Sequence, residues 1–127
     1  MLSVPAVSRL ANSERMLGLA RLHLCGEPRP VRVSYFDKSP EANWLVAWHQ
    51  DLTIAVRKRM EVPGFGPWSV KDGVPHVQAL VELLEQMITI RLHLDYCDES
   101  NGALRVLSGT HRFGRLAAEQ IFGIAPV

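Results

Sequence analysis

An imidazole and a carboxylate stand two positions apart at His49 and Asp51. On a β-strand, residues i and i+2 project from one face about 6 to 7 Å apart along the backbone, so this spacing lets both side chains turn toward one cation. The same pattern recurs at His93 and Asp95, and a further imidazole follows at His111. Nitrogen and oxygen donors suit a divalent transition metal. A second histidine from a distant strand would complete the two-histidine, one-carboxylate arrangement that holds Fe(II) on one side and leaves positions open for a cosubstrate and dioxygen. A polar strand face satisfied by neighbours or water is the plain alternative for either pair. Arg57-Lys58-Arg59 is a short basic cluster close behind the first pair, read either as a solvated face or as a contact for an anionic substrate. Phe65 and Trp68 are either local packing or a substrate wall. His23 and His76 lack an acid at useful spacing, and Tyr35 and Phe36 are expected in the core.

These residues need elements to hold them. Ser13 can cap a helix running through Glu14 to Leu24, with Met16, Leu17, Ala20 and Leu24 on one face. Cys25 to Pro30 stops it. Val31 to Phe36 and Trp44 to Trp48 are β-branched, aromatic or apolar and predict neighbouring strands across a short polar loop. From Glu61 to Pro75, prolines and glycines surround Phe65 and Trp68, which predicts an ordered loop or lid. Leu80 to Met87 predicts a short helix, Ile88 to Leu94 a strand, Asp98 to Gly102 a turn, Ala103 to Leu107 another strand, and Leu116 onward a last helical piece. About five strands and few helices favour a mainly β (α+β) fold, a partial jelly roll with an N-terminal helix and a short inserted helix.

The chain has 127 residues, of which 47% are hydrophobic and 21% charged, as expected for one compact domain and not for a disordered or fibrous chain. Lysine and arginine number 14 and aspartate and glutamate 13, leaving +1 and no like-charged block. No nucleic-acid or membrane partner is expected from such a balance, and without a long apolar run a cytoplasmic location is the default. Cys25 and Cys97 have no partner at metal-site spacing and are expected as reduced thiols.

Two longer motifs sharpen the metal reading. Trp48-His49-Gln50-Asp51-Leu52, followed by Asn101-Gly102-Ala103-Leu104-Arg105-Val106-Leu107-Ser108-Gly109-Thr110-His111-Arg112, resembles the phytanoyl-CoA dioxygenase family of Fe(II)- and 2-oxoglutarate-dependent oxygenases. Members of that family typically carry His-Gln-Asp at the first motif and Asn-Gly-x-Leu-x-x-x-Pro-Gly-Ser/Thr-His-Arg/Lys at the second. The resemblance spans about Val31 to Leu116.

It implies a double-stranded β-helix of the cupin-like jelly-roll kind, a hydroxylase activity on a small-molecule substrate, Fe(II) as cofactor and 2-oxoglutarate as cosubstrate, with ascorbate in support. His49 and Asp51 become iron ligands by the same implication. Arg91 stands where many relatives place a tryptophan near the keto acid, and its guanidinium can pair with a carboxylate. His93 and Asp95 become structural, and His111 follows a turn without being the third ligand. Ser108 replaces the family's proline, which should loosen that turn without abolishing it. The family's distal histidine and its keto-acid arginine lie beyond the second motif. Residues 1–127 are therefore expected to form a single, incomplete domain with two of three ligands, and Arg91, Arg105 and His111 are the in-chain substitutes to consider. A non-catalytic remnant or a ligand- or partner-binding jelly-roll module is the alternative. Self-association through an open sheet edge between about Ile88 and Leu107 follows from an unclosed barrel.

Overall fold

The computed structural model describes residues 1–37 and 46–126. They form a small mixed α/β protein with an open three-stranded antiparallel sheet and four short α-helices among the described residues. The chain divides into two compact units, Met1–Tyr35 with Leu52–Arg91, and Phe36–Asp51 with Leu92–Val127.

The first unit opens with helices α1 (Pro5–Ala11) and α2 (Glu14–Arg21). Pro5 sits at the first helical position of α1, where its missing N–H costs nothing and its fixed φ suits the helix. The Ser13 hydroxyl caps α2 as expected, accepting from the Met16 N–H at 3.4 Å. Glu14 in the first turn and Arg21 in the last complement the helix dipole. Arg21 also pairs with Glu14, and with Glu27 at 2.7 Å. The helix ends at Arg21, earlier than the expected Leu24, and turns through Gly26 at φ +86°.

Strands β1 (Thr53–Ala55), β2 (Trp68–Lys71) and β3 (Val74–Gln78) follow, in the order β1-β3-β2. Asp72 and Gly73, at φ 51° and 75°, make the two-residue link between β2 and β3. Left-handed backbone at both positions matches the twist of paired strands, and an Asp-Gly pair supplies it. Val77 pairs with Ile54 on one side and Trp68 on the other, so these three share a sheet face. His76, between Ala55 and Ser69, points to the opposite face. Because β3 is central, His76, Val77 and Gln78 are all buried, an unbroken run where a half-exposed strand would alternate. Helix α3 (Val81–Leu84) follows the sheet at the place the apolar spacing predicts.

The second unit contains a single 3-10 turn at Glu99–Asn101, another at Thr110–Phe113, and helix α4 (Ala118–Ile124). Asp98 caps the first turn, and Gly102 closes it at φ 79°. The expected turn at Asp98 to Gly102 is therefore present. Leu107 to Thr110 also turns: the Thr110 hydroxyl donates to the Leu107 carbonyl at 2.8 Å, and Gly109 takes φ 83° and ψ −11°. That geometry belongs to the third position of a type II turn, and Ser108 fills the preceding place that proline favours.

The strands expected at Val31 to Phe36, Ile88 to Leu94 and Ala103 to Leu107 are not formed, and the jelly roll they would build is not seen among the described residues. β-propensity favours a pleated surface only where a neighbouring strand pairs with it, and these segments have no ladder partner among the described residues. Val31, Tyr35 and Phe36 are accordingly exposed, which also corrects the expectation that the two aromatics are core. Trp44 and Leu45 of the other expected strand, and the polar loop before it, lie outside the described residues, while Val46 to Trp48 are not in a strand. The glycine-rich segment is not wholly loop, since Trp68 to Lys71 and Val74 to Gln78 are strands of the sheet. Both cysteines are free. Among the described residues no helix is long and apolar enough to cross a membrane.

Candidate metal-binding site

His49, Gln50 and Asp51 form an irregular segment of the second unit, not the strand their spacing suggests. The two donor side chains nevertheless meet, with His49 Nε2 3.6 Å from Asp51 Oδ1. The other ring nitrogen is committed: His49 Nδ1 lies 2.7 Å from the Ala47 carbonyl, which can only accept, so Nδ1 carries the proton. In the neutral ring this leaves the Nε2 lone pair facing the carboxylate. A backbone carbonyl on one imidazole nitrogen is the usual way a metal-ligating histidine has its tautomer and ring orientation fixed. The His49 and Asp51 side chains are 54% and 90% exposed, so a hydrated ion can reach both without a buried path.

Gln50, between them, has a different task. Its Nε2 donates to the Gly114 carbonyl at 2.8 Å, and its Oε1 accepts from the Leu116 N–H at 2.8 Å. One side-chain amide thus satisfies a backbone acceptor and a backbone donor just beyond the second motif. Arg105 of that motif lies over the Trp48 ring, 5.4 Å from its centroid. The first motif is therefore fastened at two places, to the second motif through Trp48 and to the residues just beyond it through Gln50. Sequence reasoning noted Gln50 and Trp48 as parts of a pattern and assigned neither a contact. An amide flanked by two metal-type donors was the available signal, since it cannot ligate as they do and needs another use.

The remaining candidates do not gather round this pair. Among the described residues, no three of the histidines, cysteines, aspartates and glutamates lie together as a group able to hold a metal ion. His93, Asp95 and His111 thus do not supply a third donor, and Arg105 is engaged with Trp48. Arg91 is exposed and belongs to the other unit. The pair therefore fits two positions of a facial triad, and the described residues do not fill the third.

His76, which lacked a partner in the sequence, has two. It is 3% exposed, its Nδ1 donates to the Val74 carbonyl at 2.9 Å, and Arg32 Nη1 lies 3.3 Å from its Nε2. Arginine can only donate, so Nε2 accepts, and the buried imidazole is satisfied at both ends. Nothing in the local sequence announces this contact, which spans 44 positions.

No family model, curated protein or solved structure matches the chain.

Proposed function

We propose that the chain belongs to the lineage of Fe(II)- and 2-oxoglutarate-dependent oxygenases of the phytanoyl-CoA dioxygenase family, with His49 and Asp51 as two of the iron ligands. The observation that carries the reading is the approach of His49 Nε2 to Asp51 Oδ1 at 3.6 Å, with Nδ1 tied to the Ala47 carbonyl. The contact of the two motifs through Trp48 and Arg105, and the bonds of Gln50 to the residues just beyond the second, support it further. The reading carries with it that family's jelly roll, of which an antiparallel three-stranded sheet would be one portion. When bound, iron and 2-oxoglutarate supply the family's oxidant for a substrate C–H bond. Within this chain, His49 and Asp51 hold the ion, the Ala47 carbonyl orients the imidazole, and Gln50 keeps the ligand segment against the residues after the second motif.

A second reading, a module that binds metal or ligand without turnover, is favoured by the lack of a third donor among the described residues. Succinate formation with Fe(II), ascorbate and 2-oxoglutarate separates the two. Turnover above that of His49→Ala establishes the oxygenase. Metal binding that His49→Ala removes, without succinate, establishes the binding module, and metal binding indifferent to His49→Ala and Asp51→Ala overturns both.

A further inference from the structure

The sheet face opposite His76 carries an apolar recess of about 290 Å³. Its floor follows from strand register: Trp68 and Val77 are direct cross-strand partners, so their side chains stand next to each other on one face. Val77 is 1% exposed and anchors the floor. Phe65 forms a wall, and the segment carrying it is pinned to β3, because Gly66 N–H donates to the Gln78 carbonyl at 3.0 Å and Gln78 N–H to the Pro67 carbonyl at 3.1 Å. Arg59 lies over the Trp68 ring, 5.5 Å from its centroid, and is itself paired with Glu61 at 3.2 Å, which steadies the indole. Backbone hydrogen bonds thus hold the Phe65 segment against the sheet.

Two basic residues contribute to its lining. Arg57 and Lys58 follow directly after Val56, whose N–H donates to the Pro75 carbonyl at 2.9 Å and so fixes the backbone from which both side chains extend. Neither has a carboxylate partner among the described residues, unlike the neighbouring Arg59. Met60, also in the lining, is 54% exposed, an apolar side chain left to water. An apolar lining to which two basic residues contribute, neither with a carboxylate partner among the described residues, complements an amphipathic anion. The size narrows it: ligand pockets run from about 300 to 1,000 Å³, and one at the small end takes a compact body in preference to a long chain. A guanidinium fork matches the planar carboxylate.

We propose that this recess is a binding site for a small monocarboxylate with a flat apolar body, its rings on Trp68 and Val77 and its carboxylate on Arg57 and Lys58. No lining residue belongs to the unit that holds His49, so the proposal is independent of the iron reading.

Calorimetric titration of the full chain with 2-naphthoate and, separately, with the neutral isostere 2-naphthamide tests it. Saturable one-to-one binding of the carboxylate is expected, roughly tenfold tighter than the amide, since each exposed cation contributes about two- to fivefold. Arg57→Ala and Lys58→Ala should each weaken naphthoate by about that factor and leave naphthamide unchanged, a charge-specific effect that a loss of folding does not mimic. Trp68→Leu should weaken both probes, and His49→Ala neither. Equal affinity for the two probes, absence of saturable naphthoate binding, or naphthoate binding indifferent to the Arg57→Ala, Lys58→Ala double variant overturns the proposal.

Discussion

The Gln50 side-chain Oε1 accepts the backbone N–H of Leu116 at 2.8 Å, across 66 positions of sequence. The amide's other end donates to Gly114, so removing the side chain strips two backbone groups of their partners at once. Gln50→Ala should lower the unfolding free energy by about 1 to 3 kcal/mol, the range for leaving partly buried polar groups unpaired. It should also speed hydrogen exchange at the Leu116 amide. Unchanged exchange there would show that the bridge does not hold the segment.

His49 and Asp51 bring only two donors, and carboxylate plus imidazole gives little selectivity among divalent ions. Anaerobic titration with Fe(II) should therefore give weak binding that His49→Ala abolishes. Tight one-to-one binding would mean that a further residue completes the site.

Asp98 gives a pH signature. The Ser100 hydroxyl donates to its carboxylate at 2.6 Å and the Ser100 N–H at 2.8 Å, and these hydrogen bonds hold the Asp98 carboxyl below its ordinary value of 3.8. A carboxyl depressed in the folded state binds its proton more readily when unfolded. Its contribution is thus present above 3.8 and is lost as pH falls through the lower folded value. Carboxyl carbon shifts followed by NMR should place the Asp98 midpoint below 3.8, and Ser100→Ala should move it upward. A midpoint at or above the ordinary value would remove Ser100 as the cause.

Arg32 is the donor that satisfies the buried His76 Nε2. Arg32→Leu leaves that nitrogen without its protein donor, and urea unfolding should register a loss of about 1 to 3 kcal/mol. A loss within a few tenths of a kcal/mol would show that water replaces the guanidinium without penalty.

Gly64 offers a steric test. It sits at φ +81°, and a Cβ there would lie 2.6 Å from Leu80 Cδ2. Gly64→Ala combines left-handed strain with a forced shift of Leu80, and a destabilisation on the order of 1 to 3 kcal/mol is expected in thermal or urea unfolding. A neutral substitution would mean that the segment before Phe65 relaxes freely.

Local chemistry was legible wherever it acts within a few residues. Ser13 announced α2, Asn101 and Gly102 announced their turn, and the His49 and Asp51 spacing brought two donors together even though the strand expected to carry them is absent. The sheet was harder to see. Asp72 and Gly73 looked like loop punctuation among prolines, and His76 and Gln78 broke the apolar run of β3, because a central strand can bury polar side chains once remote groups satisfy them. Val31 to Phe36 failed in the opposite sense, having strand-forming residues and no partner strand among the described residues. Contacts such as Gln50 with Leu116 and Arg105 with Trp48 depend on pairings that no short window contains.

The order β1-β3-β2 also sets a sequence of events. A tight link makes β2 and β3 close neighbours along the chain, and hairpins of this kind form in about 1 to 10 μs. Among the described residues β1 bonds only to β3, the last of the three to be synthesised, so β1 emerges first and waits longest. The hairpin is thus the template and β1 the late arrival, since closing the longer connection carries the larger entropic penalty. The Val56 N–H bond to Pro75, which fixes the backbone just before Arg57 and Lys58, is completed only when that arrival docks.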